Sequence, residues 1–88
     1  MPRSRKSRYA DDYRQLLTLL VAEREKRDIT QVQLAKRMKT SQSMLSKMER
    51  GVVRIDLADL LDYLDGVGGH PLEFVRSYIK EIGWKAKR

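Results

Sequence analysis

Apolar residues recur every three or four positions along most of this chain, which is the spacing that places them on one face of an α-helix. Two such segments lie close together in the middle of the sequence. Thr30 and Gln33 have the spacing of a capping box, so the first of these helices is predicted to begin at Gln31. Ser41 is the predicted N-cap of the second helix, and Gly51 is predicted to end it.

The connection between these two helices is very short. Only Lys39 and Thr40 separate Met38 from Ser41. A turn of this length prevents a long antiparallel contact, so the helices must cross steeply, and the small side chain of Ala35 allows them to approach closely. The pattern therefore predicts a helix-turn-helix unit.

The second helix of this unit has two distinct faces. Its inner face carries Leu45, Met48 and Glu49. The opposite face is polar and basic, and consists of Gln42, Ser43, Ser46, Lys47 and Arg50.

A longer helix precedes this unit and is predicted to begin near Asp11 or Asp12. Its main stripe is apolar with one exception, and consists of Tyr13, Leu16, Leu17, Leu20, Val21 and Arg24. An arginine on an apolar face requires a partner, and Glu49 lies on the inner face of the later helix. We therefore predict an ion pair between Arg24 and Glu49 that holds the fold together.

Two more helices are predicted after Gly51. Asp56 is the N-cap of the fourth helix, and Pro71 occupies the first turn of the fifth. The residues expected to face the core are Leu57, Leu60, Leu61 and Leu64 in the fourth helix and Leu72, Val75, Tyr78, Ile79 and Ile82 in the fifth. Phe74 and Trp84 fall outside these stripes. They either extend a surface patch for self-association or cover the core of their own chain.

The segment LAKRMKTSQSMLSKMERG resembles the Cro/repressor-type helix-turn-helix family, the phage-repressor-like or XRE-type proteins. The matching positions are Gln31, Leu34, Ala35, Ser41, Gln42, Ser43, Glu49 and Gly51. The resemblance implies an all-α, compact five-helix bundle, a lambda-repressor-like DNA-binding domain, over about Tyr13 to Ile79. Lys39 stands where the family often has glycine, which implies either a left-handed lysine or a slightly different turn.

Charge is distributed unevenly along the chain. Residues 1–54 carry a net charge of +8 and residues 55–88 a net charge of −1. The basic part contains the helix-turn-helix unit, as contact with a phosphate backbone requires. The expected organisation is a flexible basic arm over residues 1–10, one domain over residues 11–83 and a basic tail over residues 84–88.

Other features of composition limit the range of functions. The chain has 88 residues, no cysteine and one histidine, His70, without a partner at catalytic spacing. We therefore expect no enzyme, metal or cofactor. The short apolar stretches predict no membrane span, and a cytoplasmic, nucleoid-associated protein is expected.

The resemblance and the charge together identify candidate contacts with double-stranded DNA. The candidates for reading bases in the major groove are Gln42, Ser43, Met44, Ser46 and Lys47. The candidates for contacting phosphate are Gln31, Arg50 and Arg54. The possible contacts from the N-terminal arm are Arg3, Arg5, Lys6 and Arg8.

These expectations together predict a sequence-specific transcriptional regulator, a repressor, that binds a two-fold-related DNA operator as a homodimer. Two alternatives stay open. In the first, the chain is an antitoxin-like protein that binds a protein partner through residues 55–88 and regulates its own operon. In the second, it binds nucleic acid without sequence preference, with an affinity that depends on salt.

Overall fold

The computed structural model describes the backbone of residues 5–84 and the side chains of residues 8–84. The described residues form five helices and no strand, which confirms the all-α prediction. The helices are α1 (Arg5–Glu25), α2 (Gln31–Arg37), α3 (Gln42–Glu49), α4 (Leu57–Val67) and α5 (Pro71–Glu81).

The first helix begins earlier than its apolar pattern indicates. The predicted start near Asp11 or Asp12 is wrong, because α1 already begins at Arg5. Neither glycine nor proline occurs between Pro2 and Gly51, so nothing in the sequence interrupts the helix before Asp11. Residues 5–10, expected in a flexible arm, are therefore helical, whereas residues 1–4 lie outside the described part of the chain.

The core lies among the five helices. The long α1 packs against α3, α4 and α5, and α2 packs against α3 and α4. The buried apolar residues are Leu17, Leu20, Leu34, Ala35, Leu45, Met48, Leu60, Tyr63, Leu64, Val67 and Phe74. The helix-turn-helix unit is therefore held on two sides, by α1 and by α4.

Polar caps fix where the middle helices begin. The Thr30 hydroxyl accepts a hydrogen bond from the Gln33 amide, and the Gln33 side chain accepts one from the Thr30 amide, so the predicted capping box is confirmed. Ser41 and Asp56 cap α3 and α4, also as predicted. These caps set the first residue of each helix and hence the direction in which its side chains point.

The last two helices face the core with a different set of residues than predicted. Leu60 and Leu64 are buried as expected. The prediction is wrong for the residues that remain exposed, namely Leu57, Leu61, Leu72 and Ile79. Phe74, which lies outside the predicted stripe, is the buried residue of α5. Because α5 has apolar residues on more than one side, its sequence pattern alone does not determine which side packs inward.

Candidate nucleic-acid interface

The third helix presents a mostly polar surface to solvent. The Ser41 hydroxyl accepts a hydrogen bond from the Met44 amide at 3.0 Å, which starts the helix. Leu45 and Met48 are buried beneath it. The exposed side chains on the helix and its C-cap are Gln42, Ser43, Met44, Lys47 and Arg50. Four of the five predicted base-reading residues are thus exposed, and Ser46 is half-buried.

Ser46 is joined to the end of the same helix. Its hydroxyl accepts a hydrogen bond from Arg50 Nε at 3.2 Å. This contact uses one guanidinium donor and leaves the other donors of Arg50 available. Ser46 therefore orients Arg50 and still has one lone pair and its own hydrogen for a further partner.

The turn between α2 and α3 uses a left-handed residue. Lys39 has φ of 57°, and the Thr40 amide donates to the Ala35 carbonyl at 2.9 Å. These two features, with the Lys39 amide donating to the Lys36 carbonyl, form a Schellman motif. Of the two alternatives for this turn, the left-handed lysine is therefore the one found. The turn fixes the angle at which α3 leaves α2.

The inner face of α3 is tied to α1 by a bidentate ion pair. Arg24 Nε donates to Glu49 Oε2 at 2.8 Å, and Arg24 Nη2 donates to Glu49 Oε1 at 3.0 Å. The side chains are 12% and 6% exposed. Arg24 Nη1 also donates to the Ile29 carbonyl at 2.9 Å. The structure thus brings together the two residues expected to pair.

Two further side chains bind the same carboxylate, and sequence reasoning missed both contacts. Gln31 Nε2 donates to Glu49 Oε1 at 2.8 Å, and the Tyr63 hydroxyl donates to Glu49 Oε2 at 2.7 Å. Tyr63 lies three residues after Leu60 and next to Leu64, a spacing that places it on the buried face of α4. Helices α1, α2, α3 and α4 therefore meet at Glu49.

The directions of the pKa shifts indicate which protonation states of Glu49 and Tyr63 this cluster stabilises. Burial alone would raise the pKa of Glu49, but hydrogen bonds from Arg24, Gln31 and Tyr63 outweigh that effect, and the pKa lies below its ordinary value of 4.5. Burial and the bond to Glu49 raise the pKa of Tyr63. At neutral pH Glu49 is therefore a carboxylate and Tyr63 a neutral donor.

A chain of hydrogen bonds leads from this cluster to the exposed face of α3. Gln31 Nε2 is bound to the Glu49 carboxylate, so its oxygen points the other way and accepts from Gln42 Nε2 at 3.4 Å. A carboxylate can only accept, which fixes the orientation of the Gln31 amide and in turn that of Gln42. Gln42 is left with its oxygen and one N–H directed to solvent.

The segment after α3 is attached to α1 by aromatic contacts. The guanidinium carbon of Arg54 lies 4.5 Å from the centroid of the Tyr13 ring and 5.2 Å from that of Tyr9. Arg54 Nη1 donates to the Tyr9 hydroxyl at 2.6 Å, and the Ile55 amide donates to the Tyr13 hydroxyl at 2.9 Å. Sequence reasoning missed the role of Tyr9, because it placed that residue in a flexible arm. These contacts stabilise the part of α1 that precedes Asp11.

The remaining predicted contacts lie at the N-terminus. Arg8 is an exposed residue of α1. Arg5 and Lys6 belong to the backbone of the same helix, whereas Arg3 lies outside the described residues. Within residues 5–84 no cluster of His, Asp or Glu could hold a metal ion. No helix of that part of the chain is both long and apolar enough to cross a membrane.

Comparisons with known proteins agree with this geometry. Residues 20–74 match a protein family described as helix-turn-helix. The chain is also similar to the solved structure of an XRE-family like protein from Pseudomonas syringae pv. tomato str. DC3000, with 32% sequence identity and a TM-score of 0.83. The similarity covers 86% of this chain and 93% of that one. A comparison with curated proteins finds no match.

Proposed function

This chain belongs to the XRE-type, or Cro/C1-type, helix-turn-helix family of DNA-binding regulators, and we propose that it is a sequence-specific transcriptional repressor that inserts α3 into the major groove. The observation that carries the proposal is the exposed face of α3, whose hydrogen-bonding side chains stand on a helix fixed to three others through Glu49. We assign no enzymatic activity to the chain. We expect it to act in the cytoplasm at the nucleoid.

Each exposed side chain of α3 has chemistry that suits a base edge. The free oxygen and N–H of Gln42 match adenine N6 and N7, and Lys47 suits guanine O6 and N7. Ser43 and Ser46 can bond to several bases. Met44, which is 39% exposed, supplies an apolar contact for a thymine methyl group. One bidentate contact discriminates between bases by about 1–3 kcal/mol.

Phosphate contacts are proposed at both ends of the same surface. Arg50 and Arg54 retain guanidinium donors beyond those bound within the protein. Gln31 uses one Nε2 hydrogen for Glu49, and its second hydrogen is available for a phosphate oxygen. The basic residues near the N-terminus are proposed as additional phosphate contacts, and these are Arg3, Arg5, Lys6 and Arg8.

We propose that two copies bind a two-fold-related operator and associate through α5. Apolar residues with the spacing of a coiled-coil seam follow this helix to its C-cap, namely Leu72, Val75, Ile79 and Ile82, and of these Val75 also packs against the core. Leu72 is 74% exposed and Ile79 is 40% exposed. A second copy of the same helix would cover this stripe, and the resulting symmetry would place two α3 helices on two half-sites.

The test is selection of bound duplexes from a random double-stranded library at physiological salt, with the wild type, Lys47→Ala and Lys80→Ala. We expect a two-fold-related motif with half-sites about one helical turn apart. Lys47→Ala should relax one position in each half-site. Lys80→Ala removes the same charge from an exposed position of α5 outside the apolar stripe, and should leave the motif unchanged.

Other outcomes favour other functions. Measurable, salt-dependent binding without any enriched motif would indicate a nonspecific nucleic-acid-binding protein. The antitoxin-like alternative would gain from tight binding of a heterologous protein to residues 55–88 together with weak DNA binding by the isolated homodimer. The exposed Leu57 and Leu61 of α4 are the feature that this alternative would use.

A further inference from the structure

A groove runs along the side of α1 that the other helices leave open. It lies between α1 and the segment that begins at the end of α3, and it encloses about 970 Å³. Its lining extends along α1 from Tyr9 to Glu25 and continues through Glu49, Arg50, Gly51 and Arg54. The groove is thus next to the proposed DNA-binding surface and distinct from the α5 stripe.

The floor of the groove is apolar. It is formed by small and aliphatic side chains of α1, which are Ala10, Leu17, Thr18, Val21 and Ala22. The Thr18 hydroxyl donates to the Arg14 carbonyl of its own helix at 3.0 Å, so its one donor is used there and only its acceptor lone pairs remain. This floor offers a partner contact with methyl and methylene groups and few hydrogen bonds.

The edges of the groove are basic. Arg14, Arg50 and Arg54 contribute to the lining from three different segments. The acidic side chains among the described lining residues are Glu25 and Glu49, and the charge of Glu49 is compensated by Arg24. The electrostatic preference of the groove is therefore for a negatively charged partner.

From this combination we propose that the groove is a docking site for an acidic amphipathic helix of a protein partner. The distance along α1 from Tyr9 to Glu25 is about 24 Å, the length of a helix of four to five turns. The apolar side of such a helix would cover the floor, and its Asp and Glu side chains would meet the arginines. A DNA backbone meets only the second requirement, because it has no apolar face for the floor.

Docking in this groove would also compete with DNA. This competition rests on the proposed function, since Arg50 and Arg54 both line the groove and are assigned to phosphate contacts. A carboxylate-rich helix paired with these guanidiniums would remove them from the DNA backbone. The partner would then release the regulator from its operator, because its binding and DNA binding exclude each other.

The experiment uses a phage-displayed library of random peptides of about 16 residues, a length that matches the groove. The full chain is the bait, and Ala22→Glu adds bulk and negative charge on the exposed floor. Ala58→Glu is the matched control, because Ala58 is an exposed alanine on α4 outside the groove lining. We expect selected peptides with apolar residues at helical spacing flanked by Asp and Glu. Ala22→Glu should weaken their binding at least about tenfold, while Ala58→Glu should not change it.

Several results would overturn the docking site. These are the absence of any enriched peptide, enrichment of peptides without acidic residues, or binding that Ala22→Glu does not weaken. If instead a random-sequence duplex alone shifts the amide resonances of Thr18 and Ala22 and no peptide is enriched, the occupant is the DNA backbone and the proposal is wrong.

Competition is tested with the selected peptide and a labelled random-sequence duplex at low salt. Displacement of the duplex supports competition, whereas simultaneous binding of peptide and duplex contradicts it. Failure of the proposed function gives a different result, because a protein that binds no duplex at all would still bind the peptide in the groove. The two proposals can therefore fail separately.

Discussion

The Gln31 oxygen accepts a hydrogen bond from Gln42 Nε2, although the two residues are the first of two different helices. Gln31 is itself held by the Glu49 carboxylate. The orientation of an exposed side chain on the proposed DNA-reading surface is therefore set by a charged group inside the fold.

Replacing Gln31 should reduce the selectivity of Gln42, and it should also lower the stability because Glu49 loses a hydrogen-bond donor. Gln31→Ala removes the acceptor that fixes the Gln42 amide, so the preference at the base pair read by Gln42 should fall by about 1 kcal/mol. Preferences at the other positions should be retained. The measurement is competitive binding of duplexes that differ at single positions, together with Gln42→Ala and the double variant.

In that comparison, the losses of selectivity caused by Gln31→Ala and by Gln42→Ala should not be additive, because both substitutions remove the same contact. Additive losses would contradict a positioning role for Gln31 and would assign it to phosphate contact alone.

Removing Glu49 should strongly destabilise the fold. In Glu49→Ala, Arg24 loses its bidentate partner in a largely buried place, and Gln31 and Tyr63 lose an acceptor. We expect a loss of about 3–5 kcal/mol in the free energy of unfolding, measured by urea denaturation. Glu25→Ala, at an exposed position of α1, is the control and should lie within about 0.5 kcal/mol of the wild type. A thermal unfolding midpoint of Glu49→Ala within about 2 °C of the wild type would refute the structural role of the pair.

The pH dependence of the free energy of unfolding should reflect the titration of the Glu49 carboxylate. The pKa of Glu49 is lower in the folded chain than its ordinary value of 4.5, so the folded state binds the proton less readily than the unfolded state. The stabilisation is therefore fully present above that ordinary value and is lost as the pH falls through the folded pKa. Chemical denaturation between neutral and acidic pH should show this loss in the wild type.

Glu49→Gln should have a flatter acid profile than the wild type, since its amide does not titrate. Some slope should persist, because the pKa of Glu23 is also lowered: the bonds from Lys26 and Arg27 outweigh the opposite effect of burial. Equal slopes in the wild type and Glu49→Gln would show that Glu49 does not contribute to acid sensitivity.

Replacing Lys39 by glycine, in the turn between α2 and α3, should stabilise the folded chain. Lys39 has positive φ, a conformation that costs a residue with a Cβ about 1 kcal/mol. Lys39→Gly should therefore raise the free energy of unfolding by up to about 1 kcal/mol, part of which is offset by the greater freedom of glycine in the unfolded chain. Lys36→Gly, within α2, makes the same substitution and should instead destabilise by about 1 kcal/mol. Effects of the same sign in both variants would contradict this account of the turn.

Self-association should depend on the outer side of α5. Leu72→Glu places a charge in the stripe proposed to contact a second copy, and the dimer dissociation constant should rise at least about tenfold in sedimentation equilibrium. Leu57→Glu changes an equally large exposed residue on α4 and should have little effect. If the two variants behave alike, α5 is not the interface.

The local pattern around Ser41 was sufficient to predict the helix-turn-helix unit, because caps and apolar spacing act over a few residues. The apolar stripe of α1 and the inner face of α3 were likewise sufficient to predict that Arg24 and Glu49 pair. Contacts between distant segments were not predictable in this way. Tyr9 stabilises the start of α1 through Arg54, which is far from it in sequence, and a local pattern contains no sign of that contact. Phe74 packs inward for the same reason: the position of α5 depends on α1 and α4, and its own sequence offers more than one apolar side.

The division of α3 into two faces has a consequence for how such a protein can diverge. Leu45, Met48 and Glu49 stabilise the fold, whereas Ser43 and Lys47 are exposed on the other side of the helix. Substitutions at the exposed positions should change stability by no more than about 0.5 kcal/mol. New target sequences are therefore accessible through single substitutions without an unstable intermediate, so duplicated copies of such a gene could acquire separate operators one residue at a time.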